Sequence, residues 1–218
     1  MLTNLFNSFD PSTTLFIQWN WLSMIIVLTI MPNKFWLIES RNSMMKTIFK
    51  NFIDKEMKFI YFNKQLMMNL QSSFIYIMIM NLCGLIPYMF TPTSHLSISM
   101  ALGLPIWLSL MTFSWLNHTN MMFIHLLPMS TPSLMAPLMI LVESLSNLIR
   151  PISLSVRLTA NMIAGHLLMT LLGNVNEMKT ISLIFMFQVT LMMFEITVAL
   201  IQAYVFTILL TMYSSEIP

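Results

Sequence analysis

The chain has 218 residues, of which 57% are hydrophobic and only 8% charged, with a mean hydropathy of +0.77. Soluble domains carry about a quarter charged residues, so a globular soluble class is excluded. With four glycines, so are collagenous and low-complexity chains. The composition is that of an all-α polytopic membrane protein.

The first predicted span covers 14–31, with Trp19 and Trp21 near its start as interfacial anchors and Pro32 closing it. Segment 33–65 follows. Ten of the chain's charged residues lie between Lys34 and Lys64, seven basic and three acidic, while Phe35, Ile38, Met45, Ile48, Phe49, Phe52 and Phe59 recur at mostly helical intervals. That pattern predicts an amphipathic helix on the membrane surface. The basic residues sit between spans rather than on a domain, which argues against a nucleic-acid partner and for a surface loop on the non-translocated side.

Residues 67–116 read as a helical hairpin. One span runs to about Phe90, with Asn81, Gly84 and Pro87 in its last half; the other starts near Leu96 and contains Pro105. Residues 117–133 are polar and punctuated by proline, a loop or broken interfacial segment. Two long stretches, 134–173 and 177–214, complete about five spans, with Gly173-Asn174-Val175-Asn176 as the turn between them. A helix of about forty residues would be about 60 Å long, twice the hydrocarbon core. The first of these stretches must therefore tilt steeply, bend at Pro137 or Pro151, or break. Together the two read as a long, tilted, hairpin-paired unit, and 1–218 as a single membrane domain.

Methionine, at 25 residues, is more frequent than packing demands. It fits an AT-rich mitochondrial genome that reads ATA as methionine, and the N-terminus is not an Arg- and Ser-rich transit peptide. The basic segment then faces the matrix of the inner mitochondrial membrane. Counting spans puts the N-terminus in the intermembrane space and the C-terminus in the matrix. Cys83 cannot form an internal disulfide and reads as a packed small residue. The four histidines show no metal-ligand spacing, and no GxxxxGK[ST] run cradles a phosphate, so neither metal nor cofactor is expected.

Beyond the basic segment, charge is rare. Glu177, Lys179 and Glu216 lie at a turn or terminus, but Glu143, Arg150, Arg157 and Glu195 lie inside the long apolar stretches. Arg157 has no acidic residue within ten positions. A guanidinium stays charged, and holding it at membrane depth costs at least about 2.5 kcal/mol on insertion scales, so such a residue usually marks an ion or proton path. Glu143, Arg150 and Arg157 are spaced by seven and fall within about 40° of one helix face. Asn161, Ala164 and Gly165 follow on or beside that face, the last two small enough to admit another helix. His166 points to a different neighbour. Glu195 and Gln202 share a face of the last helix. Structural readings stay open at several of these: Arg150 can snorkel or pair with Glu143, His166 can be a neutral hydrogen-bonded residue, and Asn161 and Gln202 can be interhelical glue.

The run Ser155-Val156-Arg157-Leu158-Thr159-Ala160-Asn161-Met162-Ile163-Ala164-Gly165-His166 resembles the signature of the subunit a family of F-type ATP synthases, in its mitochondrial form. Glu143-Ser144-Leu145-Ser146, Glu195 and Gln202-Ala203-Tyr204-Val205-Phe206 match the same pattern, and the resemblance covers essentially the whole chain. It implies a stator that passes protons through two offset half-channels, to and from carboxylates on a ring of c subunits, driving rotary ATP synthesis. In that scheme Arg157 separates the half-channels, His166 and Glu195 serve entry, Glu143 serves exit, and Asn161 and Gln202 position Arg157 and water. The implied partners are the c ring, peripheral-stalk and other membrane subunits, and the lipid bilayer, with the proton as the transported ion and no nucleotide site of its own. The competing reading, a proton-translocating subunit of a respiratory complex, predicts buried lysines or acids repeated over several helices. Here the only buried basic residues are Arg150 and Arg157.

Overall fold

The computed structural model describes residues 4–13, 18–30, 38, 40–58, 64–87, 89–127, 132, 134–174 and 181–215. Helix is the only regular structure among them. Seven α-helices follow in order: α1 (Ser23–Ile30), α2 (Arg41–Lys58), α3 (Lys64–Gly84), α4 (Leu96–Asn117), α5 (Thr119–His125), α6 (Ala136–Asn174) and α7 (Ile181–Ser215). Short 3-10 turns at Leu5–Phe9, Trp19–Leu22 and Pro92–Ser94 supplement them. The predicted class, an all-α polytopic membrane protein, is the one observed.

The boundaries carry local reasons. The Ser40 hydroxyl accepts from the Ser43 backbone N–H at 3.3 Å, an N-cap that starts α2 well after the beginning of the predicted amphipathic segment. Phe35, Phe59 and the predicted stop at Pro32 lie outside the described residues. In the first span, Trp19–Leu22 is a 3-10 turn before α1. Trp19 is exposed as an anchor should be. Trp21 instead turns inward and packs on Phe90 and His95, with ring centroids 5.5 and 5.3 Å away. Within the stretch read as a loop, Thr119–His125 forms a seven-residue helix, and His118 separates it from α4.

α6 runs unbroken for 39 residues through Pro151, choosing continuity over a break. Proline deletes one backbone donor, and the Ser153 and Ser155 hydroxyls donate to the Arg150 and Ile152 carbonyls at 2.9 and 2.8 Å beside it. α6 continues through Gly173 and Asn174, so these two belong to the helix rather than to the predicted turn. Val175 and Asn176 lie outside the described residues. At 1.5 Å per residue, α6 and α7 are about 58 and 52 Å long, too long to stand upright in a bilayer.

Among the described residues three helices, Leu96–Asn117, Ala136–Asn174 and Ser182–Ser215, are long and apolar enough to cross a membrane. α3, one residue shorter than α4, carries more polar residues, two of which, Gln71 and Asn81, are buried inside the protein. Its Met67, Leu70, Phe74 and Ile77 form the core with Ile53 and Met57 of α2, Leu154 and Leu158 of α6, and Ala203, Phe206 and Leu210 of α7. The buried Gln71 of α3 donates to the Asp54 carboxylate at 2.7 Å and to the Lys50 carbonyl at 3.0 Å, tying α2 against α3. α7 packs chiefly on α3, and α6 chiefly on α4. α4 comes close to α6 and α7 at Gly103, where a Cβ would stand 3.8 Å from Leu154 and from Phe206, ordinary contact distance. Outside this core, much of the apolar surface of α6 and α7 is exposed, as a lipid- or protein-facing surface would be.

Candidate functional site: a polar seam between α6 and α7

Facing residues of the two long helices rise along α6 as they fall along α7. Arg150 meets Tyr213, Asn161 meets Gln202, and Gly165 meets Glu195. That is the register of an antiparallel pair, and it lays the polar residues of both helices along one seam.

At one end, Arg150 Nη2 lies 3.8 Å from Glu143 Oε1, and its guanidinium carbon sits 4.8 Å from the centre of the Tyr213 ring. The pairing follows from their spacing by seven, which puts both side chains on one face. Cation–π contact with Tyr213 fixes the planar guanidinium against α7. Of the open alternatives for Arg150, the structure thus takes the ion pair with Glu143.

Arg157, two turns on, is exposed on the outer face of α6. Among the described residues no carboxylate lies within ion-pair distance of it. One turn further, the Asn161 amide donates to the Gln202 side-chain oxygen, and Gln202 is only 6% exposed. Next comes the close approach of Gly165 to Glu195: a Cβ on this glycine would stand 3.0 Å from the Glu195 carboxyl carbon. The small-residue bed predicted on this face is therefore divided. Gly165 receives α7, while Ala164 is exposed beside Asn161.

His166 points away from Arg157, as helical arithmetic predicts. Its ring is hydrogen-bonded to the Gly84 backbone and meets the Phe9 ring edge-on at 6.1 Å. Its Nε2 and the Oε1 of Glu195 are both buried with no hydrogen-bond partner among the described residues.

Two cavities lie against these residues. One, of about 720 Å³, is lined by His166, Glu195 and Thr170 together with Asn7, Asp10 and Asn20 from the N-terminal segments. The other, of about 510 Å³, is lined by Glu195, Gly165, Asn161, Gln202 and Asn81. Glu195 borders both, so it stands between the vestibule and the Asn161–Gln202 part of the seam. Such a group can take a proton from one side and release it to the other. Among the described residues no three His, Cys, Asp or Glu side chains gather as a metal set.

Sequence reasoning passed over the vestibule residues and the place of Asn81 on the second cavity. Asn7 and Asp10 precede the first predicted span and Asn20 lies inside it between Trp19 and Trp21, where no periodicity flags a face. Asn81 stood out only as a polar residue within a span, and the cavity it lines is built by α3, α6 and α7 jointly.

The family described as ATP synthase A chain matches residues 15–215. Over the full length of both chains, the sequence is 47% identical to ATP synthase subunit a of Anopheles quadrimaculatus, 47% to that of Aedes albopictus and 44% to that of Drosophila melanogaster. Matches of this extent are to the ATP synthase subunit and not to a respiratory-complex subunit. The chain belongs to the ATP synthase A chain family.

Proposed function

We propose that this chain, the membrane proton-channel subunit of an ATP synthase, passes protons through two offset half-channels to and from carboxylates on a ring of c subunits. The membrane is the mitochondrial inner membrane, with the N-terminus in the intermembrane space and the C-terminus in the matrix. All 218 residues act as one membrane domain.

The observation that carries the reading is the position of Glu195 on both cavities, the second of which reaches Asn161, one turn along α6 from the exposed Arg157. Protons enter the vestibule on the N-terminal side and reach His166 and Glu195. They continue along the seam to a ring carboxylate held against the outer face of α6. After rotation, the ring releases them on the matrix side near Glu143. Arg157 favours the deprotonated carboxylate as it passes and bars a hydrated proton from crossing directly. Asn161 and Gln202 hold the seam beside it, and Arg150 braces the Glu143 end. Each elementary charge moved is worth about 2.3 kcal/mol per 100 mV, so several protons are needed for each ATP.

The test is ATP-driven pumping and passive proton leak in membranes carrying Arg157→Ala, with assembly of the complex followed in parallel. Loss of coupled pumping in an assembled complex, with leak retained or raised, is expected. Normal coupled pumping would refute the role of Arg157 as the barrier.

A further inference from the structure

Asn81 is fully buried on α3, and both atoms of its amide lack a hydrogen-bond partner among the described residues. Leaving a buried amide unpaired costs about 1–3 kcal/mol per group, so proteins satisfy such groups, commonly with ordered water. The side chain lines the cavity of about 510 Å³ that also holds Asn161, Gln202 and Glu195. A bound water needs two to four polar partners and room for itself. This cavity supplies both. A leucine would fill the same position in an apolar core without the polar penalty, as Leu70, Ile77 and Met80 do elsewhere on α3.

We infer that Asn81 is a positioning residue of the proton path, holding water between Glu195 and the Asn161–Gln202 pair on the Arg157 side of the seam. The inference rests on the proton-channel reading above and extends it to a third helix. The amide gains and loses no proton. Its oxygen accepts from, and its NH₂ donates to, water that takes a proton from one neighbour as it gives one to the next, so the water is unchanged after each transfer.

The test uses the assembled ATP synthase in liposomes, with ATP-driven proton pumping measured for Asn81→Leu, Asn81→Ser and Arg157→Ala, and assembly checked on native gels. Packing alone predicts that Asn81→Leu pumps like wild type and that Asn81→Ser, which leaves a void, is the weaker variant. Water-holding predicts the reverse order. Asn81→Leu would assemble yet lose about tenfold in coupled flux, equivalent to about 1.4 kcal/mol, while Asn81→Ser would keep most of it. Wild-type pumping by Asn81→Leu overturns the inference. If the leucine variant does not assemble, Asn81→Ala against Asn81→Ser decides, because the two differ by one hydroxyl. A clear advantage for serine supports water-holding, and equal flux overturns it. Should Arg157→Ala abolish coupling while Asn81→Leu does not, only this inference fails. Normal pumping by Arg157→Ala would remove the channel reading on which it rests.

Discussion

Gly165 and Glu195 approach each other across α6 and α7 so closely that a methyl group on the glycine would stand 3.0 Å from the carboxyl carbon and 3.1 Å from Oε1. The glycine therefore sets where the carboxyl lies between the two cavities. In a helix interior, alanine is favoured over glycine by about 1 kcal/mol, so Gly165→Ala should assemble normally. The crowding falls on the far end of a flexible side chain, which yields by a few tenths of an ångström. The expected outcome is an assembled complex whose coupled proton flux drops by about tenfold, because misplacing a transfer group costs rate more than stability. Measured pumping equal to wild type would show that Glu195 works equally well from a displaced position.

Asn161 and Gln202 are joined directly, amide to amide, across the same seam. Interhelical hydrogen bonds in membranes average about 0.6 kcal/mol and reach about 1.7, so neither single alanine variant should unfold the subunit. Their effects should not add: residues sharing a hydrogen bond show coupling of about 0.5–3 kcal/mol in double-mutant cycles. Thermal inactivation of the solubilised complex for Asn161→Ala, Gln202→Ala and the double variant measures this. Strict additivity would mean the pair does not act as a unit.

Glu143 and Arg150 make a weaker claim on stability. Their side chains are 43% and 21% exposed at a separation of 3.8 Å, and partly exposed pairs of this kind are worth about 0–1 kcal/mol. Arg150→Lys keeps the charge and gives up the planar contact with Tyr213. Coupled flux within about twofold of wild type is expected for it, since an exposed pair contributes so little. Glu143→Gln should also assemble, yet lower flux well beyond that factor if the carboxyl is the exit group. Equal and small effects of the two variants would reduce the pair to a brace between α6 and α7.

Much of this seam is legible in the sequence alone. The spacing by seven of Glu143, Arg150 and Arg157 placed them on one face, and the same arithmetic sent His166 toward another neighbour. Length alone showed that α6 and α7 could not stand upright. What the sequence hid was non-local. Asn81 and the vestibule residues Asn7, Asp10 and Asn20 acquire meaning only when helices distant in sequence meet around a cavity. The inward turn of Trp21 was hidden for the same reason, because Phe90 and His95, which receive it, lie far along the chain. Helix ends were also poorly marked: Ser40 caps α2 through a local bond that hydropathy does not register.

One wall of the vestibule, at Phe9, is tied down by a long-range hydrogen bond. His95 Nε2 donates to the Phe9 carbonyl at 3.0 Å, across 86 residues of chain, and Phe9 in turn rests edge-on against His166. His95 is also packed between Trp21 and Phe90, so His95→Phe should keep the aromatic cluster while deleting the hydrogen bond. A net hydrogen bond is worth about 1 kcal/mol, which corresponds to about a fivefold change in a local opening equilibrium. Hydrogen exchange at Asn7 and Asp10, whose amides donate within the 3-10 turn at 2.8 and 3.4 Å, reads that equilibrium directly. Faster exchange there in His95→Phe, with α4 and α6 unchanged, is the expected outcome. Exchange identical to wild type would mean that the N-terminal turn stays over the vestibule without His95.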